Sequence, residues 1–164
     1  MLLGSSNYRP LWIVVGSFLI AGCLNILPMG IMAGYFQPDW VALVLIYWCF
    51  WEPERIGAGA GWCAGIFLDM LDYGTFGKHA LAKLVCGFLA NRISLRLRSY
   101  PVWQQSAAVG VLIAVDTLIV ATVQLFLDEP NLSIGRWCTP LASMVMWPVV
   151  LIMLKPAFPR HGFR

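Results

Sequence analysis

From Gln105 to Leu127 the chain offers water one charged side chain, Asp116, in a run otherwise built mostly of aliphatic and small residues. That matches the ~20 apolar residues an α-helix needs to cross ~30 Å of hydrocarbon. In that solvent each backbone N–H and C=O must be satisfied within the segment, so a lone span is helical. Shorter apolar runs at Leu11–Met32, Phe36–Trp51, Gly57–Leu71, Lys78–Asn91 and Arg136–Leu154 bring the expectation to six transmembrane helices. The reading is all-α, one integral membrane domain over residues 1–164. Because the second to fourth runs are short, four or five spans is the alternative. Short helices there also fit a thinned bilayer or partial re-entry.

Composition supports lipid as the solvent. The chain is 60% hydrophobic and 12% charged, about half the charge of a soluble domain. So little polar material cannot coat a water-soluble globule of this size. The longest loops, 93–104 and 128–135, are too brief for a soluble catalytic domain. The run after Arg9 resembles a secretory signal but continues too far without a small-residue cleavage site, so it reads as a retained first helix. Cys23, Cys49, Cys63, Cys86 and Cys138 show no CxxC spacing and read as small buried hydrophobes. No metal site and no cofactor is expected.

Charge sets the orientation. The chain has 11 Lys and Arg. Six spans with the N-terminus inside place Arg9, Arg55, Arg92, Arg96, Arg98, Lys155, Arg160 and Arg164 on the cytoplasmic side. Lys78 and Arg136 fall outside and Lys83 within the membrane. The positive-inside rule then puts both termini in the cytoplasm. The net charge of +3 belongs to those loops, and a nucleic-acid partner is not expected. Trp12, Trp40, Trp51, Trp103 and Trp137 lie near segment ends, as interfacial anchors do.

Gly57, Gly61 and Gly65 recur every four residues and lead to Asp69. At 3.6 residues per turn they form one side-chain-free ridge, and in lipid such ridges let another helix approach closely. The next segment repeats the step with His79, Lys83, Gly87 and Asn91. A hairpin turning near Gly74–Phe76 would bring Asp69 level with Lys83, so an ion pair, or a contact through His79, is expected to offset their burial. Asp69, Asp72, His79 and Lys83 then either lock this hairpin or dock it on a partner; an ion or solute path is the alternative. Asp116 is a second buried polar candidate, for interhelical hydrogen bonding or transport.

Enzyme motifs are absent: no Gly-rich phosphate loop, HExxH or GxSxG occurs. His79 and His161 are far apart, and Glu52 and Glu54 flank Pro53 in a turn. Catalysis is not expected.

The stretch Pro38-Asp39-Trp40, Tyr47-Trp48, Pro53, Arg55, Gly57, continuing through Gly61-Trp62, Gly65, Asp69, Gly74, Gly77, His79 and Ala80, resembles the MreD family of rod shape-determining proteins. The resemblance implies a non-enzymatic component of the bacterial inner membrane that supports lateral peptidoglycan synthesis. It implies an MreC-like single-span partner, with RodA, a class B penicillin-binding transpeptidase, MreB and RodZ nearby, and membrane lipid around it. It also implies a fold similar to the six-helix substrate-binding subunit of energy-coupling-factor transporters. Two functions follow as expectations: a scaffold of the cell-elongation machinery, or a solute-binding membrane subunit with a pocket near Asp116. On the scaffold reading the glycine ridge and its polar neighbours, from Gly57 to Gly87, are a helix-packing or partner-binding surface, and the same ridge could pack inside this chain.

Overall fold

The structure is a computed structural model and describes residues 11–26, 37–71, 76–127 and 134–154. Those residues form six α-helices: α1 Leu11–Ile26, α2 Trp40–Trp51, α3 Ala58–Leu71, α4 Lys78–Leu97, α5 Val102–Phe126 and α6 Thr139–Leu154. A short 3-10 turn, Ile134–Cys138, leads into α6. No strand occurs among the described residues. Of these helical segments, Val102–Phe126 and Gly135–Leu154 are long and apolar enough to cross a membrane, while α1, α2 and α3 are shorter apolar helices.

Local chemistry sets the boundaries. Asp39 caps α2, its Oδ1 accepting the Ala42 N–H at 2.9 Å, so one orphan donor of the first turn is satisfied. Pro53 disfavours the helical conformation for the residue before it, and α2 ends at Trp51. Gly77, at φ +100°, precedes α4 in a left-handed conformation that side-chain-bearing residues rarely adopt. Pro140 lies in the first turn of α6, where its missing N–H has no partner to lose.

The core sits around α2. Every residue from Val41 to Phe50 is buried, as expected of a helix that is apolar all round, and α2 touches α1, α3, α4, α5 and α6. Trp48 donates from Nε1 to Ser17 Oγ at 2.8 Å, and Tyr47 donates from its hydroxyl to the Leu154 carbonyl at 3.0 Å. These bonds tie α2 to α1 and to the end of α6. Trp147 packs edge-on against Phe50 at 5.6 Å between ring centroids. Trp12, Trp51, Trp103 and Trp137 are exposed, and Trp40 is half-buried.

Two expected boundaries change. The fourth helix does not stop at Asn91; it runs to Leu97, with Ser94 and Leu97 buried and Arg92 and Arg96 exposed. Polar residues there mark the end of the apolar run and not of the helix, because one face continues to pack. The 93–104 loop shrinks accordingly to a turn before α5, which begins at Val102. Lys78 opens α4, as it opens the expected fourth run, and it is buried. The expected span 11–32 is described only to Ile26, and the hairpin turn at Gly74 and Asp72, like both termini, lies outside the described residues.

The tightest packing joins α3 to α4. A Cβ on Gly61 would collide with the Lys83 carbonyl, and one on Gly65 with the His79 carbonyl and Ala80 backbone. A Cβ on Gly87 would stand 2.8 Å from the Gly57 carbonyl, and one on Gly57 2.8 Å from Asn91 Nδ2. The glycine ridge is therefore closed inside the chain and is not an open surface for a partner helix. Any phenotype of a bulky residue at Gly61 or Gly65 would act through the fold. Gly65→Ala is expected to lower stability by about 1–3 kcal/mol, the range for overpacking, read as a fall in thermal midpoint of the purified protein. Gly59 has open space around its Cβ position, so Gly59→Ala should leave the midpoint unchanged or raised; equal loss from both would remove the packing argument.

Candidate functional site

Lys83 is wholly buried, and its ammonium lies 2.6 Å from Asp39 Oδ2 and 2.6 Å from Asp116 Oδ2. The cation comes from α4, one carboxylate from the start of α2 and the other from the middle of α5. Lys83 to Leu97 and Val102 to Asp116 span equal lengths of helix on either side of the α4–α5 turn. At 1.5 Å per residue the two charges must meet at one level. Asp39 joins because the α2 N-terminus reaches the same level. Its backbone N–H also donates to Ser143 Oγ at 3.0 Å, which brings α6 to the cluster. Four helices thus converge on one ammonium.

The expected Asp69–Lys83 pair does not form. Asp69 instead accepts three backbone N–H groups at the start of α4: Gly77 and Ala80 on Oδ2 at 2.9 and 3.1 Å, and His79 on Oδ1 at 3.1 Å. The first turn of a helix carries orphan donors and the positive end of its dipole. A carboxylate at the end of α3 is closer to those donors than to an ammonium a turn further on. Asp69 therefore caps α4 from another helix.

The stripe His79, Lys83, Gly87 and Asn91 divides in the same way. Gly87 faces Gly57, and Asn91 donates from Nδ2 to the Pro53 carbonyl at 3.0 Å, sealing the seam at its far end. Arg98 donates to the Phe50 carbonyl and stacks over Trp51 at 5.6 Å. His79 and Asp116 instead line a polar recess of about 230 Å³, together with Gln37, Asp39, Thr117 and Arg136. Arg136 donates to Gln124 Oε1 on its rim, and Gln37 donates from Nε2 to the Asn25 carbonyl at 2.8 Å.

Asp39 was not singled out by spacing. The signal was present in Pro38-Asp39-Trp40, an acidic residue just before an apolar helix, but its partner on α4 is set by tertiary packing. The equal-depth reasoning that levels Asp69 with Lys83 across one hairpin also levels Lys83 with Asp116 across the α4–α5 hairpin, so this pair is legible in the sequence. Among the described residues no group of His, Cys, Asp or Glu is placed to hold a metal ion, and all five cysteines are free thiols.

A family model described as rod shape-determining protein MreD matches residues 7–157. The chain is also 26% identical over 142 residues to the rod shape-determining protein MreD of Haemophilus influenzae, covering 87% of this chain and 88% of the relative. No solved structure matches the chain.

Removing one partner of a buried ion cluster leaves uncompensated charge and typically destabilises by about 3–5 kcal/mol. Lys83→Met is expected to fall in that range, measured as loss of folded protein on heating. Adding Asp39→Asn and Asp116→Asn to Lys83→Met should restore much of the loss, since no bare carboxylate then remains. A triple variant no more stable than Lys83→Met would show that the ion cluster is not what the lysine supports.

Proposed function

The chain belongs to the MreD family of rod shape-determining proteins, and from that premise we propose that it is a non-enzymatic membrane scaffold of the cell-elongation machinery. On this reading all six helices cross the bacterial inner membrane and both termini are cytoplasmic. The scaffold binds an MreC-like single-span protein and supports lateral peptidoglycan synthesis alongside RodA, a class B penicillin-binding transpeptidase, MreB and RodZ.

The observation that supports this most is the division of the α3–α4 hairpin into a sealed seam and an apolar outer side. Inside, the glycines and the Asp69 cap fix the two helices against each other. Outside, Leu81, Leu84 and Phe88 form an exposed stripe on α4, and Trp62 and Met70 are exposed on α3. Lipid tails are as apolar as these side chains, so a second helix is held there by shape and not by a hydrophobic drive. A rigid hairpin presents such a shape without an ordering cost at each encounter. The partner surface thus moves from the glycine ridge to the opposite faces of the same two helices.

The double variant Leu81→Ala/Phe88→Ala is expected to reduce co-purification of the MreC-like protein at least tenfold while shifting the thermal midpoint little, because both side chains are already exposed. Cells relying on that variant should round, and cells depleted of the protein should do the same. Full recovery of the partner and normal rods would sink this surface. Orientation is tested separately: a fluorescent protein after Arg164 should be bright and alkaline phosphatase fused at Pro130 active, and the reverse pattern would invert the topology.

A further inference from the structure

We propose that the polar recess beside the Lys83 cluster is a binding site for a small molecule bearing a primary ammonium group. This stands apart from the scaffold reading and rests on the recess itself. The cavity of about 230 Å³ forms where α1, α2, α4, α5 and α6 approach each other. It is smaller than the roughly 300 Å³ at which pockets for drug-sized ligands begin, so its occupant has few heavy atoms.

Its walls are rich in acceptors. Asp116 is 3% exposed and spends Oδ2 on Lys83, while its Oδ1 is buried without a hydrogen-bond partner among the described residues. Buried carboxylate oxygens normally find a donor, and one left without costs more than the bond itself returns. Thr117 gives its hydroxyl proton to the Ile113 carbonyl at 2.9 Å, which leaves the oxygen as an acceptor. Gln37 gives its amide N–H to the Asn25 carbonyl, which leaves Oε1. The donor on the rim, Arg136, is turned toward Gln124.

Charge points the same way. Two carboxylates share one lysine, while the Arg136 guanidinium in the same recess is held by Gln124 and by neither carboxylate. Among the described residues the second carboxylate thus has no cation of its own in contact, where uncompensated charge is strongly disfavoured. An ammonium supplies both the missing charge and three donors on a compact head. A carboxylate ligand would add to the surplus, and a quaternary ammonium would bring charge without N–H donors.

The test is thermal unfolding of the purified full-length protein in lipid nanodiscs with ethylammonium chloride, against tetramethylammonium chloride and sodium acetate at equal ionic strength. Ethylammonium should raise the midpoint by a few degrees and saturate, and the other two salts should not. Thr139, which also lines the recess, makes no contact with Lys83 in the ion cluster; Thr139→Trp fills the cavity and should abolish the response. Gln37→Leu, which removes an acceptor, should weaken apparent affinity at least tenfold and serves if the tryptophan variant does not fold. No saturable rise with ethylammonium, an equal rise with tetramethylammonium, or an undiminished response in the folded variants overturns the site.

Discussion

A lysine ammonium held between two carboxylates at the meeting point of four helices is the constraint around which this bundle is arranged. Water would solvate those charges at no cost to the fold, but in an apolar bundle they are tolerable only when brought together. Lys83 on α4, Asp39 at the head of α2 and Asp116 in α5 therefore fix the relative depth of three helices. Through Ser143 the same aspartate fixes α6. Apolar side chains alone are poor at setting depth, since a helix sliding by a turn still meets lipid-like neighbours. The polar cluster supplies the register that dispersion does not.

The second organising device is the seam between α3 and α4, and it obeys different physics. Gly61, Gly65 and Gly87 let two backbones approach to the point where a methyl group would meet the facing backbone. Close approach maximises dispersion contacts where no hydrophobic drive exists between helices. Asp69 then closes one end of the seam by capping α4, and Asn91 closes the other through the Pro53 carbonyl. Each end uses a side chain of one helix to satisfy backbone groups of the next connection. These hydrogen bonds, and not an Asp69–Lys83 pair, close the two ends of the seam among the described residues.

Much of this was legible in the sequence, and the rest was lost for identifiable reasons. Apolar runs place six helices in the right order because length and polarity are local properties. The end of α4 was misplaced because Arg92 and Arg96 terminate the apolar run while Ser94 and Leu97 still pack. The glycine ridge was visible from its four-residue step, but periodicity says only that a face is flat, not whether the chain itself or a partner covers it. Asp69 takes a partner other than the ammonium its charge suggests, because the unpaired N–H groups at the start of α4 are the nearer donors. Asp39 lies far from Lys83 in sequence, and nothing local joins them.

These two devices leave different surfaces behind, and that difference bears on function. The seam consumes its small residues and exposes apolar stripes, which offer a partner shape alone. The cluster, by contrast, sits beside a recess where polar groups face one another, and polar groups discriminate by donor and acceptor count. A membrane scaffold that recognised partners only through apolar stripes would have little means of distinguishing one single-span helix from another beyond fit. On the proposed scaffold reading, fit depends on the geometry that the seam holds rigid, while hydrogen-bonding complementarity belongs to the separate recess. The Lys83 cluster links the two, because the helix that lines the seam with Gly87 is the one that carries the ammonium and, at His79, a wall of the recess. A displacement of α4 along its axis would open the seam, separate the charges and reshape the recess together.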